Sequence, residues 1–267
     1  MIYNHVFGFT RSPFQGGVES SELFPAAALD ELHQRLLHLT ETRSIGLLTG
    51  EPGSGKSTAL RRVRDALHPD QVRSIYLHDT AVSPVDFCRL ITAQLGIEPG
   101  WSRATMLGNI QRELTRLALQ RHLTVLLVID EAQALRPEVL ALLPVLTNFD
   151  WDQNPRIAVL LAGQSGLRQI LRRAHLEPLV QRITVRYNLS GFDRDTTKRY
   201  LEHRLKLAGL ERPLFTESAV EALWKSSQGV MRRIDTLAHY ALAAAATDRE
   251  QQISPEHVLK AAEETRV

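Results

Sequence analysis

The chain has 267 residues, 43% apolar and 23% charged, with a formal net charge of +2 from 32 basic and 30 acidic side chains. That length gives room for one large α/β domain and a small second one, and the near-neutral balance excludes a globally basic nucleic-acid binder, leaving local patches to decide that question. The single cysteine, Cys88, excludes an internal disulfide and a cysteine metal cluster and fits a reducing cytoplasm; it reads as a small buried residue on a helix. No apolar run approaches the ~18 residues of a membrane span, and the first residues lack the basic segment and apolar core of a secretory leader. The basic residues are nearly all arginine, which suits phosphate contacts and intersubunit charge pairs, although a genomic codon bias gives the same skew.

Residues 1–25 hold Tyr3, Phe7, Phe9, Pro13, Phe14, Gly16, Gly17, Phe24 and Pro25 with no clear period, and read as an irregular arm pinned by its aromatics. Leucines at 29, 32, 36 and 39 make residues 26–42 an amphipathic helix. Residues 44–49 (S-I-G-L-L-T) read as a buried strand and 58–67 repeat apolar residues at helical spacing. Between them, Gly50-Glu51-Pro52-Gly53-Ser54-Gly55-Lys56-Ser57 fits G-x-x-x-x-G-K-[ST], and strand before and helix after are the context that a nucleotide-binding P-loop needs. Its glycines let successive N–H groups point inward, and the helix starting near Gly55 adds its positive end, so residues Gly50 to Thr58 form a cradle for phosphate. Lys56 is expected to reach the β- and γ-phosphates of ATP, and Ser57 to place its hydroxyl on Mg2+, which prefers oxygen ligands.

Further on, residues 73–78 give a second strand, and Ser83-Pro84 caps a helix running to about residue 95. A long helix spans about 102–120, and residues 124–129 (T-V-L-L-V-I) read as a central parallel strand. That strand ends in Asp130-Glu131. Asp130 would hold Mg2+ through its water shell, and Glu131 would orient and polarise the attacking water. Helical residues over about 137–148, a strand over 156–162 ending at Gly163-Gln164, helical residues over about 166–173 and a last strand over 182–189 complete an α/β pattern with a parallel sheet covered on both faces. Gln164 sits where its amide either touches the γ-phosphate or the water, or caps its own loop. Arg182, or one of Arg168, Arg172 and Arg173, either reaches a neighbouring subunit's γ-phosphate or makes a surface ion pair. From residue 190 the pattern becomes all-helical, with helices over 193–207, 216–227, 231–246 and 254–264. The expected organisation is an arm over 1–25, a nucleotide-binding core over 26–190 and a helical domain over 191–267.

A P-loop, an Asp-Glu pair, a polar residue after the next strand and a terminal helical lid together resemble an AAA+ ATPase. More narrowly, Phe7-Gly8-Phe9 with Pro13-Phe14, Asp130-Glu131-Ala132-Gln133, Leu146-Thr147-Asn148-Phe149, Leu161-Ala162-Gly163-Gln164, Arg204-Leu205-x-x-Ala208-Gly209 and Ser227-x-Gly229 resemble the ExeA/GspA-like family. That family includes secretion-pathway ATPases and the TniB/TnsC-type ATPases of transposons, and the chain is most similar to the latter. The resemblance implies that Lys56 and Ser57 are the Walker A pair, Asp130 and Glu131 the Walker B pair, Gln164 sensor 1, Arg182 the arginine finger and Arg232 sensor 2. Here Met231 stands where the family has proline before that arginine, which makes Arg233 a rival, and Gln228 stands where glycine is usual.

Of the functions this implies, the first is an ATP-dependent regulator of DNA transposition. It would form a homo-oligomeric ring or filament on duplex DNA, engage a transposase and a targeting protein, and disassemble on hydrolysis. Phosphate contacts would come from Arg112, Arg116 and Arg121 on and after the long helix, with Arg103 and the Arg61-Arg62-Arg64 cluster as further candidates, or these form a solvated face. The alternatives are the ATPase of a type II-like secretion pathway and a switch that binds ATP without turnover. A chain without a membrane span fits the soluble, cytoplasmic branch, and the intact Glu131 argues against the last alternative.

Overall fold

A computed structural model describes residues 2–15, 18–78, 81–150 and 153–265. Its elements run α1 (Ile2–Phe7), α2 (Ala27–Thr42), β1 (Ile45–Gly50), α3 (Lys56–Ala66), β2 (Val72–Leu77), α4 (Pro84–Leu95), α5 (Arg103–Gln120), β3 (Thr124–Ile129), α6 (Pro137–Leu140), α7 (Leu143–Leu146), β4 (Ile157–Gly163), α8 (Gly166–Leu171), α9 (Glu177–Arg182), β5 (Ile183–Leu189), α10 (Arg194–Leu207), α11 (Glu217–Ser227), α12 (Met231–Asp248) and α13 (Pro255–Glu264). They group into two compact units. One holds residues 27–50 and 56–189; the other holds the described parts of 1–26, 51–55 and 190–267.

In the first unit five parallel strands lie in the order β2-β3-β4-β1-β5. Strands β1 and β4 are buried at every position and β3 at all but its first, so both faces of the sheet are covered. The edge strands β2 and β5 alternate instead. Helix α4 buries Phe87, Ile91 and Leu95, and α5 buries Met106, Ile110, Leu114 and Leu117, in one cluster with Val125, Leu127 and Ile129 of β3. Cys88 is fully buried on α4. Both helices start with a serine hydroxyl accepting a backbone N–H, Ser83 from Asp86 and Ser102 from Thr105, which satisfies a donor the first turn leaves open. Because β4 lies between β1 and β3, with Thr49 level with Gly163 and Ile129 with Leu161, the loops after all three strands leave the sheet side by side at one edge.

Three expectations need correction in this unit. The single helix over 137–148 is two short ones, α6 and α7, because Pro144 has no N–H for the carbonyl of Leu140 and its ring crowds that carbonyl. The helix beginning at Gly166 stops at Leu171, so Arg172 and Arg173 follow it. Arg182 does not open the last strand; it is the final residue of α9, a helix the sequence did not reveal.

In the second unit the N-terminal segment is not wholly irregular. Its first residues form α1, whose Tyr3 and Phe7 are buried four residues apart; Gly16 and Gly17 lie outside the described residues. The Tyr3 hydroxyl bonds Ser12 Oγ and His239 Nδ1, both at 2.7 Å. Buried Arg204 of α10 donates to the Pro13 carbonyl at 2.7 Å and the Gln15 carbonyl at 3.1 Å, while facing Tyr200 Oη at 3.0 Å and Asp235 Oδ2 at 3.5 Å. The arm is thus held by a cation that its own carbonyls help to satisfy. Helix α12 begins at Met231 despite the missing proline, and Gln228, standing in for glycine, takes φ of 54°.

Burial pushes the Asp235 carboxyl up to about 6, against the pull of Arg204 and the Tyr200 hydrogen bond. A carboxyl raised in the folded state binds its proton more tightly there than in the unfolded chain, so Asp235 costs stability above pH ~6, and that cost is relieved as pH falls from ~6 toward ~4. Urea unfolding of the wild type and of Asp235→Asn should therefore show the wild type gaining stability relative to the variant between pH 7 and pH 5. A difference that does not change with pH would contradict the burial account.

Candidate nucleotide site

At the edge of the sheet unit, Lys56 opens α3 with its side chain buried and its ammonium donating to the Gly50 carbonyl at 2.9 Å. A buried cation satisfied by the backbone at a strand end is positioned to meet an anion. Asp130, only 5% exposed, accepts from three donors: the Tyr76 hydroxyl at 2.6 Å, the Glu131 backbone N–H at 2.9 Å and the Ser57 hydroxyl at 3.4 Å. Burial first, and then the Asp130 carboxylate, push the Tyr76 phenol up to about 12, so it remains a donor at neutral pH.

Glu131 adopts φ 49° and ψ 38°, a left-handed conformation uncommon for a residue with a side chain and costing on the order of 1–3 kcal/mol. The strain turns the chain sharply after β3 into a single 3-10 turn, Ala132–Ala134. The Glu131 carboxylate Oε2 accepts from the Gln133 amide at 2.5 Å and from the Gln164 amide at 3.2 Å. Gln164 thus reaches across from the end of β4 to the second residue after β3.

Residues 51–55 belong to the helical unit, where the Ser54 N–H bonds the Glu51 carbonyl at 3.1 Å and the Arg232 N–H, on the first turn of α12, bonds the Gly53 carbonyl at 3.1 Å. Gly53 has φ of 82°, and a Cβ there would lie 2.5 Å from the Arg232 Cβ, so both conformation and space require glycine. The Ser54 hydroxyl is buried with no hydrogen-bond partner. Arg232 and Arg233 are both exposed, and Arg233 donates to Gln228 Oε1 at 3.4 Å.

The donor set fits a magnesium nucleotide. In the sheet unit the buried Lys56 ammonium suits phosphate oxygens, and the Ser57 hydroxyl and the Asp130 carboxylate are hard oxygen atoms of the kind Mg2+ prefers as ligands. In the helical unit the buried Ser54 hydroxyl, without a partner, is a donor that a phosphate oxygen can satisfy. The structure brings together Lys56, Ser57, Asp130, Glu131 and Gln164 within one unit. It does not bring Arg182 to them: that residue lines a separate surface depression with Gln111, Pro144, Val145 and Asn148. The arginines expected to meet DNA are spread along one helix and are partly matched there. Arg112 bonds Asn109 Oδ1, Arg116 is paired through both nitrogens with Glu113, and Arg121 is exposed past the end of α5. Near Lys56, Arg62 pairs with Asp30 and Arg64 with Asp65, each at 2.7 Å, and Arg61 is exposed. Sequence reasoning missed Tyr76; its signal was a hydroxyl-bearing residue near the C-terminal end of the strand beside β3.

A five-stranded parallel sheet whose central strands end beside Lys56, Ser57 and Asp130 has the architecture of a P-loop nucleoside triphosphatase. The family model described as AAA domain matches residues 38–171, half of the chain, and the chain belongs to that family of P-loop ATPases. It is 32% identical over 252 residues to general secretion pathway protein A of Aeromonas hydrophila, covering 91% of this chain and 45% of that protein; the chain thus spans under half the length of this curated relative. Among solved structures it is similar to Cdc6p of Pyrobaculum aerophilum, with a TM-score of 0.68, 21% identity and coverage of 92% of this chain and 71% of that one. It is also similar to the Aeropyrum pernix ORC1 protein in complex with DNA, with a TM-score of 0.66, 20% identity and coverage of 96% and 69%. No described helix is long and apolar enough to cross a membrane.

Gly53→Ala forces a side chain into a left-handed conformation, costing roughly 1–2 kcal/mol, and pushes on Arg232. The expected result is a lower thermal midpoint and a weakened shift of that midpoint on adding ATP. A variant that melts and responds to ATP as the wild type does would show that the contact carries no constraint.

Proposed function

We propose that the chain binds ATP with Mg2+ and hydrolyses it, and that in the ATP state it assembles with further copies on duplex DNA as a regulator of transposition, recruiting or activating a transposase through a targeting protein. In this reading residues 1–25 are an arm, 26–190 the nucleotide-binding core and 191–267 the lid. The observation that carries hydrolysis is the convergence of Ser57, Asp130, Glu131 and Gln164 at adjacent strand ends.

The P-loop N–H groups and Lys56 bind the phosphate chain and hold the γ-phosphate against the strand ends. Ser57 and Asp130 would hold the metal, which when bound would neutralise the charge that develops on the transferring phosphoryl group. Glu131 orients the attacking water and takes up its proton, and the Gln164 amide fixes the carboxylate it touches. Arg232 serves the nucleotide from the lid, with Arg233 as its rival. Arg182 serves the γ-phosphate of a neighbouring copy. That role suits its place in a surface depression beside exposed Val145, which none of Lys56, Asp130 and Glu131 lines.

Support for DNA comes from the exposed Arg112 and Arg121, from the resemblance of the motif set to a family that includes transposon ATPases, and from a fold on which a DNA-bound origin-recognition protein is also built. A second reading, an ATPase of a general secretion pathway, is favoured by the 252-residue similarity to general secretion pathway protein A.

Arg182→Ala is expected to lower turnover about 1000-fold while leaving ATP affinity unchanged, because the residue acts on transferred charge and not on binding. Full turnover in that variant would remove Arg182 from the mechanism. To separate the two readings, binding to a random DNA duplex is measured with a non-hydrolysable ATP analogue, with ADP and without nucleotide, across a salt series. Transposition regulation predicts analogue-dependent binding that weakens steeply with salt, as phosphate contacts do. No binding in any nucleotide state would favour the secretion reading.

A further inference from the structure

One side chain at the candidate site has no part in the scheme above. Gln133 sits in the 3-10 turn Ala132–Ala134, half-buried, and uses both ends of its amide. Its Oε1 accepts the Gln164 backbone N–H at 2.9 Å, and its Nε2 donates to Glu131 Oε2 at 2.5 Å. The orientation of the amide is not arbitrary. A backbone N–H can only donate, so the end that faces Gln164 must be the oxygen, which leaves the NH2 group for the carboxylate.

The space for that oxygen depends on Gly163. A Cβ built there would lie 2.6 Å from Gln133 Oε1, closer than real contacts allow, with Leu167 Cδ2 at 3.1 Å and the Ala132 nitrogen at 3.4 Å behind it. The end of β4 and the turn after β3 are therefore joined through one amide. Its other end rests on the Glu131 carboxylate.

We propose that Gln133 is a positioning residue for Glu131: it ties the glutamate's carboxylate to the backbone of Gln164, so that the groups at the ends of β3 and β4 hold one fixed geometry for the attacking water. The proposal rests on the reading of Glu131 as the base. Glu131 is exposed, and an exposed glutamate samples several rotamers; a charge-assisted bond from a neutral donor selects one without bringing a competing charge. The cost of losing such alignment falls on the chemical step and not on nucleotide binding.

The test is single-turnover ATP hydrolysis with excess protein, together with ATP affinity and thermal unfolding, for Gln133→Met, Gln133→Glu, Gly163→Ala and Glu131→Gln. Gln133→Met keeps the length and removes both bonds; it is expected to slow hydrolysis on the order of 10- to 100-fold with ATP affinity unchanged. Gln133→Glu has the shape of the native residue and keeps the acceptor for Gln164, but it sets a like charge against Glu131. If the residue only filled space this variant would restore the rate; the proposal requires that it does not. Gly163→Ala leaves Gln133 in place and displaces its oxygen, so it should reproduce the Gln133→Met defect, and it decides the matter if the Gln133 variants do not fold. A wild-type rate in Gln133→Met or Gln133→Glu, or a loss confined to ATP affinity, overturns the proposal. Glu131→Gln separates the two ideas: if it hydrolyses ATP at the wild-type rate, the reading of Glu131 itself fails, whereas an inactive Glu131→Gln beside a fully active Gln133→Met defeats only the role given to Gln133.

Discussion

In a parallel sheet every strand delivers the chain to the same edge, and here the strand order places β4 between the strand that leads into the P-loop and the strand that ends in Asp130. The side chains of the candidate site meet because of that adjacency. It lets the Ser57 hydroxyl from the start of α3 meet an aspartate from β3, and lets an amide from the end of β4 meet the glutamate beside it. Asp130 is the fixed point. A carboxylate this buried must be compensated, and three donors from three different segments converge on it and hold it in place. The strained backbone of Glu131 is tolerated at the same turn, because the Asp130 side chain holds the Glu131 N–H.

How much of this the sequence disclosed follows from how strongly each segment is constrained. Strands β1, β3 and β4, buried on both faces, can hardly be written except as apolar runs, and the P-loop and the Asp-Glu pair are spacings that few other structures require. Edge strands and short helices carry weaker signals. Tyr76 went unassigned because β2 alternates and an exposed tyrosine on an edge strand is unremarkable until its hydroxyl is seen on Asp130. The six residues of α9 pass for a loop after the exposed arginines 172 and 173, and the break between α6 and α7 is signalled by Pro144 but masked by the helical apolar spacing around it. Gln133 illustrates the limit most directly: its residue type was visible in Asp130-Glu131-Ala132-Gln133, but only coordinates reveal that both ends of its amide are committed.

The helical unit holds residues 51–55 of the glycine-rich segment. Its α12 begins with a backbone bond from Arg232 to the carbonyl of Gly53, so one turn of helix and the glycine-rich turn share a hydrogen bond. The same unit carries the N-terminal arm on a buried arginine. Membership of the AAA-domain family accounts for the core. The likeness to general secretion pathway protein A covers most of this chain and under half of that protein, so it speaks for a common ATPase module more directly than for a common task.

The central claim is that Asp130, Ser57 and Glu131 assemble a magnesium-dependent hydrolytic site. Its most direct test is the release of phosphate from ATP by the wild-type protein in a single turnover, with Mg2+ present and with Mg2+ removed by a chelator, set beside Asp130→Ala. The account predicts release only with Mg2+ and only when Asp130 is intact. Release that survives removal of the metal or of that carboxylate would contradict it.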